Sequence, residues 1–162
     1  MTAEDRVTPL TEEGKRNLEE ELEQLVSVRR VEIAARIHSA KQDGDIAENA
    51  GYEAAKEEQA LVEGRISYLE ALLKRSVLIE NAGQTDSIVL GSRVTVREVG
   101  SDEPETYLIV GPAEANPVDG KISNESPLGK ALMGCKNGVT VKIKAPAGEM
   151  HFQVMDISPS MP

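Results

Sequence analysis

Apolar residues recur at helical spacing through the first half of the chain. Two sets of three follow one another in steps of four and three residues, as in a coiled-coil seam. They are Leu18, Leu22 and Leu25, then Ile33, Ile37 and Ala40. The pattern predicts a helix from Thr11 to about Gln42. The two sets are out of phase by one residue, which predicts weak supercoiling near residues 28–32.

A second helical pattern follows and supplies the partner seam, formed by Ala55, Val62, Ile66, Leu69 and Leu73. Because only a few residues link the two patterns, the helices are expected to lie side by side and antiparallel. At ~1.5 Å per residue the arm is about 45 Å long, enough to reach a buried site through a channel. Gly64 lies inside this pattern at a cost of about 1 kcal/mol relative to Ala, so it either permits close helix contact or is simply tolerated.

The second half of the chain reads as short β segments bounded by turn residues, at residues 93–99, 105–110, 139–145 and 149–157. Between them, Ser126 can cap a short helix that has Pro127 at its first position. The fold class is therefore α+β, a coiled-coil hairpin followed by a small antiparallel sheet with one short helix. The expected division is a hairpin over 1–80, a linker over 81–90 and a globular domain over 91–162, and residues 1–9 are expected to be loosely ordered.

The segment between the two helices, residues 43–49, is short and acidic. Gly44 can take a positive φ after the first helix, and Asp45 with Glu48 forms an Asp version of the capping box. Capping alone accounts for these residues. Carboxylates three residues apart could also bind one Mg²⁺, and two are too few for a closed cage, so the pair would form a half-site completed by another molecule.

Several motifs closely resemble those of the bacterial Gre transcript cleavage factors, and the resemblance covers nearly the whole chain. The most specific is the run from Gly44 through Asp45, Glu48, Asn49 and Tyr52 to Gln59. The others begin at Leu10, Glu63 and Ser126. Because of this resemblance, a functional role for the tip residues is favoured over capping alone.

The resemblance implies a mechanism. The coiled coil would enter the secondary channel of bacterial RNA polymerase, and a C-terminal domain, FKBP-like in the family, would grip the channel rim. Asp45 and Glu48 would help the polymerase hold a second Mg²⁺ and a water that cleaves the backtracked nascent RNA near its 3′ end. Gly44, Asn49 and Tyr52 would support the tip, with structural roles favoured for the last two. Alone, the chain would hydrolyse nothing, carry no cofactor and be monomeric.

Basic residues approach the tip along the first helix: Arg29, Arg30, Arg36 and Lys41. One interpretation is a solvated face with (i, i+4) pairing to Glu32 and other acids. The other is an electrostatic guide for an RNA 3′ end, and the family's basic patch is consistent with it.

Charge and composition exclude several other functions. A net charge of −10 opposes general wrapping of nucleic acid, so contact with RNA or DNA needs a local basic patch. Cys135 is the only cysteine, which excludes an intrachain disulfide and leaves a packed residue as its expected role. His38 is expected at the surface and His151 in a strand, and no catalytic triad is supported. No apolar run could span a membrane, and the acidic N-terminus is unlike a signal peptide, so we expect a soluble cytoplasmic protein.

Two other functions are compatible with parts of the sequence. A Gre-like inhibitor would plug the channel without stimulating cleavage, but the retained order Gly-Asp-x-x-Glu-Asn favours cleavage. A prolyl isomerase is suggested only by the FKBP-like fold, and the C-terminal half offers only Tyr107 and Phe152 for an aromatic pocket. Gly51, where relatives often carry Glu, and residues 46–47 depart from the family pattern and leave the length of the cleavage products open.

Overall fold

A computed structural model describes residues 7–42, 50–79 and 86–159. These residues form two units, of which one is Glu13–Ser76 and the other joins Val7–Glu12 to the part of the chain after Ser76. The prediction from sequence assigned the whole of 1–80 to the hairpin. The difference arises because strand β1 (Thr8–Leu10), which begins within the residues expected to be loosely ordered, pairs with β2 (Ser76–Leu78).

The first unit is the predicted pair of long helices. Its first arm consists of α1 (Glu12–Gln24), a π-helix (Leu25–Arg29) and α2 (Arg30–Gln42), which follow one another without a break. Its second arm is the single helix α3 (Ala50–Lys74). The predicted helix from Thr11 to about Gln42 is confirmed over Glu12–Gln42, which is as far as the structure describes this arm.

The π-helix explains the one-residue phase difference between the two apolar sets. Its backbone is wound more widely than an α-helix, and the Arg30 N–H donates to the carbonyl of Leu25, five residues back. Leu25 and Ile33 lie eight residues apart, one more than a heptad repeat allows, and the wide turn absorbs that extra residue. Near residues 28–32, where weak supercoiling was expected, the arm contains a π-helix that begins at Leu25.

The hairpin buries a narrow aliphatic core between its two arms. Ile33 and Ile37 of α2 form one cluster with residues of α3, namely Ala55, Val62 and Ile66. Leu22, Leu25, Val26 and Tyr52 are half-buried against that cluster. At the base of α3 the predicted seam residue Leu73 is only half-buried and Leu72 is buried instead, since a step of three after Leu69 keeps the same helix face as a step of four.

The second unit is organised by a five-stranded sheet in the order β5-β4-β3-β7-β6. Its strands are β3 (Ser92–Glu98), β4 (Pro104–Val110), β5 (Lys121–Ser123), β6 (Thr140–Ala145) and β7 (Gly148–Pro159). The four predicted strands are present within a few residues of their expected ends. The short β5 was not predicted, and it pairs with β4 in parallel, so the sheet is mixed rather than purely antiparallel.

One face of this sheet packs on helix α4 (Pro127–Leu132). Ser126 caps α4 as predicted, because its hydroxyl accepts from the Gly129 N–H at 3.1 Å and donates to the Ser123 carbonyl at 2.7 Å. Pro127 occupies the first helical position. Cys135 is half-buried against the core, and its Sγ donates to the Ala131 carbonyl at 3.3 Å, so the expectation of a packed cysteine is confirmed.

The expected linker over 81–90 ends inside the core of the second unit. Ile88 is 1% exposed, and it exchanges backbone hydrogen bonds with Gly134 and Cys135. Ser87 forms an isolated bridge with Lys136. Residues 86–90 therefore belong to the globular unit, because a single deeply buried isoleucine stabilises that segment by about 2 kcal/mol.

Candidate functional site

The acidic tip lies between the described parts of two helices. The description of α2 reaches Gln42, and that of α3 starts at Ala50. Residues 43–49, and with them Gly44, Asp45, Glu48 and Asn49, lie outside the described residues. The capping box and the Mg²⁺ half-site at these positions therefore stay predictions.

Tyr52 lies in the first turn of α3, next to the tip. Its side chain is half-buried and packs against the hairpin core that contains Ile37 and Ala55. This packing is the structural role expected for Tyr52. The packing joins the first described turn of α3 to the core of the hairpin.

Three charged residues from the two arms meet on one side of the hairpin. The guanidinium groups of Arg29 and Arg36 both donate to the carboxylate of Glu58, one to each oxygen. Arg29 also donates to Glu32 at 3.3 Å. The sequence proposed (i, i+4) pairing with Glu32, which would involve Arg36, but Arg36 crosses to α3 and the bond to Glu32 comes from Arg29 at (i, i+3).

Two further arginines form side-on pairs across the hairpin. Arg30 donates through Nε and Nη2 to the two oxygens of Glu63 at 2.7 and 2.8 Å. Arg65 binds Glu21 in the same way at 2.6 and 2.9 Å. Bidentate pairs of this kind combine charge with a fixed geometry. The hydrogen bonds from the arginines, followed by their charge, lower the pKa of Glu21 and of Glu63 below the ordinary value.

The remaining basic candidate, Lys41, is exposed in the last turn of α2. A cation at this end of a helix interacts favourably with the helix dipole. His38 is exposed one turn earlier, as predicted, and its Nε2 lies 3.2 Å from the amide nitrogen of Gln42. The four basic candidates thus all lie on the first arm, and three of them are paired with acids of α3.

The acidic partners Glu21, Glu58 and Glu63 were missed by sequence reasoning. Each flanks the apolar seam, which is where cross-helix ion pairs form in coiled coils. Their position beside the seam was the signal from which these acidic partners could have been predicted. Knowing which acid meets which base also requires the register of the two arms, and the π-helix shifts that register by one residue.

Comparison with known proteins places both units in one family. The family described as "Transcription elongation factor, N-terminal" matches residues 8–78, and the one described as "Transcription elongation factor, GreA/GreB, C-term" matches residues 83–159. The chain belongs to the GreA/GreB family of transcription elongation factors. The resemblance based on the tip motif is therefore confirmed at the level of the family.

Individual members of the GreA/GreB family match over almost their entire length. Transcription elongation factor GreA of Bacillus cytotoxicus is 47% identical over 156 residues, 96% of this chain and 99% of that protein. The GreA of Bacillus licheniformis is 48% identical with the same coverage. Among solved structures, GreA factor homolog 1 of Thermus thermophilus is 36% identical, covers 94% of this chain and 99% of its own, and has a TM-score of 0.45.

Across 7–42, 50–79 and 86–159, no group of three or more His, Cys, Asp or Glu residues could hold a metal ion. Within the same ranges, no helix has the length and apolar character needed to cross a membrane.

Proposed function

We propose that the chain stimulates the cleavage of backtracked RNA by bacterial RNA polymerase. In this proposal the hairpin enters the secondary channel of the polymerase and presents Asp45 and Glu48 to its active site. The observation that carries the proposal is the family match over both units, together with a tip that keeps the order Gly44-Asp45-x-x-Glu48-Asn49. The GreA/GreB family functions by stimulating transcript cleavage.

The hairpin has the properties that such delivery requires. The first arm runs from Glu12 to Gln42, which at ~1.5 Å per residue is about 45 Å long. A buried core and ion pairs between the arms resist bending, because a bend would expose apolar surface and separate charges. The tip would then be positioned by the arm rather than by contacts of its own.

At the polymerase active site, Asp45 and Glu48 would supply carboxylate oxygens to a Mg²⁺ that the polymerase also binds. Mg²⁺ commonly takes one or two protein carboxylates and keeps other positions for water and phosphate, so this donor pair fits a shared ion. The ion would position and activate the attacking water. The chain alone would hydrolyse nothing, because two carboxylates hold neither the RNA nor a complete ligand set.

Three basic residues of the first arm, Arg29, Arg36 and Lys41, would steer the RNA 3′ end. Arg29 and Arg36 share the single carboxylate of Glu58, so a phosphodiester can compete for the same donors. Lys41 is exposed and closer to the tip. Arg30 belongs to the same group by sequence, but Glu63 occupies two of the five N–H donors of its guanidinium.

The second unit would hold the rim of the channel. We propose an FKBP-like arrangement for it, supported by the mixed five-stranded sheet that packs on α4. The chain would act as a monomer in the cytoplasm, where the polymerase is found.

The test uses purified bacterial RNA polymerase halted on backtracked, end-labelled RNA. Asp45→Asn and Glu48→Gln keep side-chain size but remove charge, and each should slow cleavage by about 100-fold. Asp43→Asn is the matched control, because it makes the same charge change just outside the motif. Binding of every variant is measured by competition against labelled wild-type protein.

Three outcomes separate the candidates. Loss of cleavage with retained binding supports the tip assignment. Cleavage as fast as wild type in both variants contradicts it. A wild-type protein that slows elongation and releases no short RNA product acts instead as a channel inhibitor.

A further inference from the structure

The two side-on ion pairs bracket the π-helix. Glu21 lies before the π-helix Leu25–Arg29, and Arg30 is the first residue after it. Their partners on α3, Arg65 and Glu63, are separated only by Gly64. Glu63 and Arg65, which lie close together on α3, therefore pair with residues on opposite sides of the π-helix in the first arm.

The side chains of Glu63 and Arg65 also lie on opposite sides of the apolar seam of α3. Residues two apart on an α-helix point about 200° apart. Val62 and Ile66 are buried in the seam, and Glu63 and Arg65 lie between them in sequence. One ion pair thus forms on each side of the apolar core. We call the four residues Glu21, Arg30, Glu63 and Arg65 the clamp.

Arg65 is further restrained within α3. Its guanidinium carbon lies 5.4 Å from the centre of the Tyr68 ring, one turn along the same helix. A cation held over an aromatic face loses part of its rotational freedom. Less conformational entropy is then lost when Arg65 also binds Glu21.

A π-helix needs external contacts to stay in one place. Its extra residue can be accommodated at more than one turn, because each position requires only a local change from a four-residue to a five-residue hydrogen bond. If it moved along the arm, the intervening residues would rotate by about 100° relative to α3. Residues such as Ile33 would then leave the core.

We propose that Glu63 and Arg65 are positioning residues that hold the π-helix at Leu25–Arg29 and so fix the phase of α2 as it approaches the tip. On this assignment Arg30 acts through Glu63 and does not contact RNA. The proposal rests on the proposed function only for its effect on cleavage, since the position of the π-helix can be measured in the free protein.

The first experiment is amide hydrogen exchange in the full-length protein. Glu63→Gln and Arg65→Gln should each speed exchange of the amides in residues 25–33 by about threefold, as expected for loss of a partly exposed ion pair. The exchange of α4 should be unchanged in both. Lys15→Gln is the matched control, because it removes an ion pair with Glu19 that lies within α1 and does not cross the hairpin.

Charge reversal distinguishes the clamp from a simple requirement for positive charge. Arg30→Glu alone should speed exchange and slow cleavage several-fold. Combining Arg30→Glu with Glu63→Arg restores the pair with its charges exchanged, and should return both measurements to within about twofold of wild type. The reversal of Glu21 and Arg65 should behave in the same way.

The outcomes are separable. Unchanged exchange in the single variants, or a double reversal that exchanges as fast as Arg30→Glu, overturns the clamp. A double reversal with normal exchange but with cleavage as slow as Arg30→Glu overturns the assignment of Arg30, because its positive charge is then required by RNA or polymerase. If wild-type protein fails to stimulate cleavage, the proposed function fails and the exchange experiment still decides the clamp.

Discussion

The backbone N–H of Thr11 donates to Oε2 of Glu114 at 3.0 Å, and the Thr11 hydroxyl donates to the other oxygen of the same carboxylate. The Glu114 side chain is only 5% exposed, and the Nζ of Lys121 lies 4.0 Å from it. One carboxylate therefore joins two segments of the second unit that are 103 residues apart in sequence.

Glu114→Ala should lower the free energy of unfolding of the second unit by about 2 kcal/mol, because it leaves two half-buried donors of Thr11 without this acceptor. The change is measured by urea denaturation. Glu125→Ala is the control, since Glu125 is exposed and its removal should cost less than about 0.5 kcal/mol. Equal midpoints for the two variants would contradict the prediction.

Gly64→Ala should stabilise the hairpin by about 1 kcal/mol, the difference in helix propensity between the two residues. Gly64 is exposed, and a Cβ atom placed there meets no heavy atom within 4 Å. Of the two explanations offered for this glycine, close helix contact is therefore wrong and simple tolerance remains. Thermal denaturation, monitored by the circular dichroism signal of the helices, checks the prediction. A midpoint below that of the wild type would contradict it.

Gly129→Ala should have the opposite effect in the second unit. A Cβ atom at Gly129 would lie 1.9 Å from the Ser123 carbonyl oxygen and 2.8 Å from its carbon, so the backbone of α4 must move. The expected loss is about 3 kcal/mol, at the upper end of overpacking effects. Gly134→Ala is not a clean comparison because Gly134 has φ +79°, whereas Lys130→Ala changes an exposed residue of α4 and should be nearly neutral.

The hairpin should lose stability in acid, in part through Glu21. Arg65 lowers the pKa of Glu21 from its ordinary value of 4.5 in the folded protein. The ionised form is thus favoured by folding, and this stabilisation is complete above the unfolded pKa and is lost as pH falls through the folded one. Because both side chains are partly exposed, the contribution is a few tenths of a kcal/mol.

Glu21→Gln tests this by comparing urea midpoints at neutral pH and at about pH 3. The variant should be less stable than wild type at neutral pH, and the difference should shrink as the pH falls and Glu21 takes up a proton. A difference between the two proteins that is the same at both pH values would show that the ion pair is not its cause.

The sequence predicted the helices and long strands because their apolar residues carry the periodicity of the buried faces. Ile33, Ile37, Val62 and Ile66 all lie in the core that their spacing indicated. The phase difference between the two sets of the first arm was also visible. The structure that produces this phase difference could not be predicted, since spacing alone does not distinguish a relaxed supercoil from a π-helix.

Contacts between distant segments escaped sequence reasoning for a different reason. β1 has only three residues, and its partner follows the whole hairpin. The acceptors of Arg30 and Arg36 depend on the register of two arms, which no local pattern records. At the candidate site, the basic residues were identified from sequence while their partners were not, and the carboxylates of the tip stay predictions.

Two separate segments of the chain form the globular unit, namely Val7–Glu12 and the part from Val77 onward. In topological terms the hairpin is an insertion into a domain whose first strand precedes it. Excising residues 13–75 and closing the gap with a short glycine-containing turn should therefore leave a self-sufficient domain that keeps β1 and β2, whereas a fragment that starts at residue 91 would lack both Leu10 and Ile88.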